Sequence, residues 1–450
     1  MKLKTLEITN FRCFESLSMD FDEQLTVLVA KNGAGKTAIL DAISVAFGVF
    51  IGGFDKGKGK GFESNDARLV RRESQYPITL NASGMINNEE FEHWSRELTG
   101  EKNNTTFGNA RNLIHHAKKL QSQVRSHQQI DLPIIAYYGT GRLWKDNRAE
   151  QKKGELGSRL YGYHEALNPD SNYKTFKQWF INKSLADGIN KTKKLLPQEP
   201  LLQKPKRDEL FEDYITEIKY NSNGLKCIQK AITQCLSVTD YSTLEYDYNW
   251  ENLVLIGENE IIMPISQLSD GVKAMLGLTA DIAYRCVKLN PHLESPPEET
   301  SGIVMIDEIE LHLHPAWQQT VLNDLCKAFP KIQFIVTTHS PQVISTVASR
   351  QIRILDDDKV YQAEAGTQGA EASRILKRIF GVDPRPQNDP NTKLLNEYLD
   401  LVYSDKWNES EAKEKRAKLD VIYQSNEPAL TAADLYIENR QWELESEENQ

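Results

Sequence analysis

Leu25-Thr26-Val27-Leu28-Val29 runs directly into Ala30-Lys31-Asn32-Gly33-Ala34-Gly35-Lys36-Thr37, and an apolar helical pattern follows. The first five residues form a continuous run rich in β-branching, as expected of a strand buried on both faces. The next eight fit G-x-x-x-x-G-K-T, with Ala30 in the first glycine position. Gly33 and Gly35 let the backbone bend, so that successive N–H groups of Asn32, Gly33, Ala34 and Gly35 converge on phosphate oxygens. The start of the following helix adds partial positive charge. Lys36 is placed to reach the β- and γ-phosphates, and the Thr37 hydroxyl to ligate Mg²⁺. If the Ala30 position needs positive φ, alanine there costs roughly 1 kcal/mol. Ile39, Leu40, Ile43, Ala46 and Phe47 form the inner side of the helix.

Three further segments line up with this loop. Upstream, Glu7-Ile8-Thr9-Asn10-Phe11-Arg12 alternates faces like a strand. Far downstream, Ile303-Val304-Met305-Ile306 is a second buried run and ends in Asp307-Glu308. A carboxylate at a strand's C-terminal end can hold the Mg²⁺ shell (Asp307), and the next can orient or deprotonate an attacking water (Glu308). Phe334-Ile335-Val336-Thr337-Thr338-His339 is a third such run that delivers a histidine. In a doubly wound sheet all these strand ends share one rim, which would bring His339 to the γ-phosphate. Ser266-Gln267-Leu268-Ser269-Asp270-Gly271 precedes a helix with Val272, Met275, Leu276, Ile282, Ala283 and Val287 on one side. Ser269 is a good N-cap, and Gly271 would let a phosphate approach the helix start.

Leu268-Ser269-Asp270-Gly271 resembles the signature of ABC-type ATPases, with Asp270 in place of the usual glycine. The order of phosphate loop, signature, Asp-Glu strand and His strand is similar to the RecF/SMC/Rad50 branch, as are Ile8-Thr9-Asn10-Phe11-Arg12 and the loop itself. The resemblance implies an α/β fold: a P-loop NTPase head with a mixed sheet flanked by helices, a compact helical insertion and a helical C-terminal region. It also implies ATP and Mg²⁺ as ligands and a head-to-tail pair of chains. Each ATP would lie between the Lys36 loop of one chain and Ser269 and Gly271 of the other, with Asn10 and Arg12 close by. Taken with Gly52-Gly53-Phe54-Asp55-Lys56-Gly57-Lys58-Gly59-Lys60-Gly61, the tract Ile134 to Trp144 resembles the ATPase subunit of bacterial Septu-type and retron-associated anti-phage systems. That likeness implies an ATPase that gates a separate HNH nuclease subunit and meets nucleic acid through the complex. The alternative is a RecF-like DNA-repair ATPase that binds DNA directly.

The expected organisation is an N-terminal lobe over 1–145, an insertion over 146–240, a second lobe over 241–365 and a helical region over 366–450. Pro197, Pro200 and Pro205 exclude a long coiled coil in the insertion. Short helices are expected at Tyr173 to Ala186, Asp208 to Lys219 and Leu225 to Leu236. The loop after Ile134–Tyr138 carries no evident Gln, leaving Arg142 to serve either the nucleotide or the insertion. Lys56, Lys58 and Lys60 suggest a flexible basic loop, either solvated or touching nucleic acid or nucleotide. Leu394, Leu395, Tyr398, Leu399 and Val402 form an apolar face that either packs on its own domain or docks the partner. His312 and His314 are read as a loop lining a subunit boundary rather than as a metal pair.

Composition narrows the classes. The 450 residues are 39% apolar and 26% charged, ordinary for globular domains and wrong for collagen or rods. A net charge of −10 argues against a protein that coats nucleic acid through its overall charge. Five scattered Cys with no CxxC read as buried thiols of a reducing compartment. No stretch reads as an export signal or membrane span, so a cytoplasmic protein with no membrane partner is expected. After His339 there is no acidic constellation of the kind nucleases use; Asp356-Asp357-Asp358 reads as a strand-to-turn junction.

Overall fold

A computed structural model describes residues 1–87, 89–142, 158–170, 173–195, 223–257, 260–424 and 426–448. The expected helix at 208–219 lies outside the described residues. The chain divides into two compact units, Met1–Ile375 and Leu376–Gln450.

The first unit is built on two sheets. Strands β1 (Lys2–Phe11), β2 (Phe14–Asp20), β4 (Ile78–Ile86) and β5 (Glu89–Leu98) form an antiparallel sheet in the order β2-β1-β4-β5. The second sheet combines β3 (Leu25–Ala30), β6 (Ile134–Tyr138), β10 (Gly302–Ile306), β11 (Ile332–Thr337), β12 (Ile352–Asp356) and β13 (Lys359–Gln362), in the order β13-β12-β3-β11-β10-β6. All its neighbours run parallel except the β12–β13 hairpin. Every residue of β3, β6, β10 and β11 is buried, which is what their unbroken apolar runs require of a covered parallel sheet. Because five strands share one direction, the loops after Ala30, Tyr138, Ile306, Thr337 and Asp356 emerge on one rim. Gln333, wholly buried, stitches the two sheets: it accepts from Leu3 N–H at 2.7 Å and donates to the carbonyls of Leu3 and Asp22.

Helix α1 (Lys36–Ile51) touches strands of both sheets. It is therefore buried all round from Ala38 to Ile51, not on one side as its pattern suggests. The stretch Ala38 to Phe54 is thus a core helix and its exit. α2 (Arg111–Arg125) packs beside α1. The loop after α1 departs from expectation. A Cβ at Gly48 would lie 2.1 Å from Lys60 O, and one at Gly57 would lie 2.0 Å from Ile51 O. These glycines let the basic segment press onto α1, and Lys60 is paired with Asp41 at 2.8 Å, so this part of the loop is pinned.

In the expected insertion, α3 (Lys174–Leu195) begins with Phe176, Trp179 and Phe180 buried, and a second helix spans 223–235. Both belong to the first unit. A small antiparallel sheet follows, β9-β8-β7 in order, from β7 (Tyr241–Asp247), β8 (Asn252–Gly257) and β9 (Ile262–Pro264). It leads to α4 (Asp270–Leu289), where Val272, Met275, Leu276, Ile282, Ala283 and Val287 are buried. Asp281 of α4 accepts from Tyr138 Oη and from Arg285 Nε, each at 2.8 Å, with all three side chains buried. Each of these polar groups is paired, which is the condition for tolerating them in a core.

The second unit packs α5 (Pro390–Tyr403), α6 (Ser410–Tyr423) and α7 (Pro428–Glu448). Asp389 caps α5 by accepting from Thr392 N–H, with Pro390 at the first helical position. Leu395, Tyr398 and Val402 enter a core with Trp407, Leu419 and Leu430, and Leu394 and Leu399 pack at its edge. The apolar face of α5 is thus covered within its own unit. No described helix is long and apolar enough to cross a membrane.

Candidate nucleotide-binding site

The phosphate loop hangs between β3 and α1. Ala30 is the last residue of β3 and pairs with Leu355, so it keeps extended backbone and carries no left-handed strain. The turn is made instead by Gly33 (φ +81) and Gly35 (φ +96). A Cβ at Gly33 would meet nothing within 4 Å, whereas one at Gly35 would lie 2.4 Å from the Phe14 ring and 2.5 Å from Cys13 Sγ. Gly35→Ala therefore suffers both positive φ and a clash, together about 2–5 kcal/mol. Thermal unfolding of this variant is expected to show that loss, while Gly33→Ala, with only φ against it, loses less.

Thr37 and Asp307, 270 positions apart, meet at 2.8 Å, the Thr37 hydroxyl donating to Oδ2. Thr337 Oγ1 donates to the other oxygen, Oδ1, at 2.6 Å and accepts from Glu308 N–H at 2.8 Å. The carboxylate of Asp307 is thereby held between two hydroxyls. Asp307 N–H extends the β6–β10 ladder onto Tyr138 O at 2.8 Å. Glu308 then turns sharply, with φ +47, a conformation that costs a non-glycine residue about 1–3 kcal/mol and gathers at functional sites.

Lys36 Nζ donates to Ala30 O at 3.2 Å. Burial lowers its pKa, opposed by the carboxylates of Asp307, Glu308 and Glu310. Burial and the Lys36 ammonium likewise lower the His339 pKa, favouring neutral imidazole. Lys36, Asp307, Glu308 and His339 thus come together on the rim. Glu310 joins them: one carboxylate oxygen accepts from His339 N–H, and the other is buried with no hydrogen-bond partner. An all-oxygen pair such as Thr37 and Asp307 suits a hard cation such as Mg²⁺, and the open space at Gly33 and the nearby ammonium suit a polyphosphate.

The other expected residues are less central. Arg12 is held by Asp66 at 2.9 Å and by Asp41, one turn beyond Thr37 on α1, at 2.6 Å. Asn10 is committed to the carbonyl of Pro77 at 3.0 Å. Ser269 caps α4, accepting from Val272 N–H at 3.4 Å, and Ser269 and Asp270 form an exposed tip. Gly271 has a reason in its own chain: a Cβ there would lie 2.6 Å from His312 O. His314 Nδ1 accepts from Ala316 N–H, starting the next short helix. Cys13 is exposed beside Gly35, and Cys227 and Cys326 are half-buried, so the expectation of five buried thiols holds only for Cys235 and Cys286.

Thr337 and Glu310 carry the geometry without having been singled out for it, and Arg142, expected to serve the nucleotide or the insertion, contributes in a third way. Thr337 was visible only as part of an apolar strand. Glu310 sits two residues past the acidic pair, and that spacing was the one available signal. Arg142 is 3% exposed and turned inward, donating to the carbonyls of Gly139, Asp307 and Glu308.

Known proteins are similar in sequence along most of the chain. The family model for the AAA ATPase domain matches residues 1–344. The retron Ec83 probable ATPase of Escherichia coli is 30% identical, covering 100% of this chain and 89% of its own length. The retron Vc95 probable ATPase of Vibrio cholerae serotype O1 biovar El Tor is also 30% identical, over 89% of this chain and 84% of its own. The Septu protein PtuA of Bacillus thuringiensis is 24% identical over 95% of each. A phosphate loop whose Thr37 meets the acidic end of a parallel strand, within a match this long, places the chain in the AAA ATPase domain family, beside the retron probable ATPases and the Septu protein PtuA.

Proposed function

We propose that this protein binds and hydrolyses ATP, closes around it as a head-to-tail pair, and through that closure governs an HNH nuclease partner in an anti-phage complex. The observation that carries the nucleotide part is the 2.8 Å bond between Thr37 and Asp307, which joins the phosphate loop to the acidic strand end. In this reading the N–H groups of Asn32 to Gly35 and the Lys36 ammonium receive the phosphates. Thr37 and Asp307 hold Mg²⁺, which when bound offsets phosphate charge. Glu308 takes the proton of the attacking water, and neutral His339 faces the γ-phosphate. Ser269 of a second copy, exposed at the tip of α4, caps the nucleotide with Gly271 behind it, and Arg12 and Asn10 flank the site.

The defence role draws its support from the full-length likeness to retron and Septu ATPases. Cutting is assigned to the partner. Asp357 and Asp358, at φ +46 and +58, form the β12–β13 turn. The test is purification together with neighbouring gene products, measuring complex mass and nuclease activity against ATP concentration. A co-purifying nuclease whose activity follows ATP supports the reading. DNA binding by the isolated chain with a steep salt dependence, and no such partner, supports a RecF-like repair role instead.

A further inference from the structure

Residues 139–141, directly after β6, pack closely against Pro169 and Asp170. Gly139 N–H donates to Pro169 O at 2.9 Å, and a Cβ at Gly141 would lie 2.4 Å from Asp170 Oδ1. From this braced loop the Arg142 side chain turns under the rim. Nη1 donates to Gly139 O at 2.9 Å and also to Asp307 O, and Nη2 donates to Glu308 O at 2.6 Å. Strand β10 has ended at Ile306, and the left-handed turn at Glu308 carries the chain away from the ladder. A guanidinium suits the gap, because its fixed fork of donors spans neighbouring carbonyls that one ammonium could not span.

We infer that Arg142 is a positioning residue that holds the backbone of Asp307 and Glu308, and with it the direction of the Glu308 carboxylate. Three of its five N–H donors go to these carbonyls and its side chain is almost wholly buried, which favours a structural grip over contact with nucleotide. Two grips hold Glu308: Thr337 Oγ1 on its N–H and Arg142 on its carbonyl. Without the second, two carbonyls lose a charged donor and the strained φ is free to relax. Glu308 then swings by the order of an ångström, a displacement that costs about 100-fold in rate.

The inference rests on Glu308 acting in hydrolysis, so the test has two arms. In the first, Arg142→Ala is expected to lower turnover about 100-fold with ATP affinity and KM within about threefold, and Arg142→Lys to retain an intermediate rate. Millimolar guanidinium is expected to restore part of the rate to Arg142→Ala and none to Glu308→Gln. In the second arm, amide hydrogen exchange at Asp307 and Glu308 rises in Arg142→Ala and less in Arg142→Lys, with the phosphate loop unchanged. Loss of ATP affinity with exchange at 307–308 unaltered would show Arg142 to be a nucleotide ligand and overturn the inference. If the wild-type chain shows no hydrolysis, the proposed reaction fails, and the exchange arm still decides whether Arg142 holds Glu308. Should Arg142→Ala not fold, Arg142→Lys carries both arms.

Discussion

Lys36→Ala is expected to weaken ATP binding by about 3 kcal/mol, roughly 100-fold or more, measured by titration with a fluorescent ATP analogue. The side chain carries little structural work, since among the described residues its hydrogen bond is a 3.2 Å contact to Ala30 O. Its charge matters more. Lys36 lies within electrostatic reach of Asp307, Glu308 and Glu310, and removing it leaves that acidic group facing an incoming polyphosphate. The variant thus loses an attraction and gains a repulsion, while α1, buried against both sheets, keeps the fold intact. Unchanged affinity with an unchanged melting temperature would remove Lys36 from the site.

Glu308→Gln is expected to do the opposite to binding. Glutamine keeps the size of the side chain, and the grips of Thr337 and Arg142 act on backbone atoms, so the turn at φ +47 is retained. What disappears is the group that takes the proton from water. Hydrolysis then falls by about 10²- to 10⁴-fold, the usual contribution of a positioned base. Bound ATP persists, and with Mg²⁺ present the 51.3 kDa chain is expected to run at twice that mass on light scattering. Faster hydrolysis, or no change, would reassign Glu308. Asp307→Asn is a useful contrast, because it disturbs the hydroxyl contacts from Thr37 and Thr337 as well as the charge.

Much of this was legible from local sequence. Strands β3, β10 and β11 announce themselves because covered parallel strands need unbroken apolar runs, and the glycines of the phosphate loop because a left-handed turn needs them. The cap at Ser269 follows from its side-chain chemistry. The misses share a cause, in that they depend on partners distant in the chain. Arg142 reaches carbonyls at 307 and 308, and nothing in Gly139-Thr140-Gly141-Arg142 announces that. Gly57 and Gly59 among the lysines read as flexibility, yet both approach the backbone of α1 closely. The all-round burial of α1 follows from two sheets lying over it, which no helical periodicity encodes. Gly271 was read for a phosphate and is also demanded by His312 O.

The pairing of two copies around ATP is the claim on which the proposed switch depends, and the structure of Glu308→Gln bound to Mg²⁺ and ATP tests it most directly. The account predicts a triphosphate lying on Asn32 to Thr37 of one copy, with Ser269 of the second copy within hydrogen-bond distance of the γ-phosphate. A nucleotide held by one copy alone, with the α4 tips of all copies remote from every triphosphate, would contradict it.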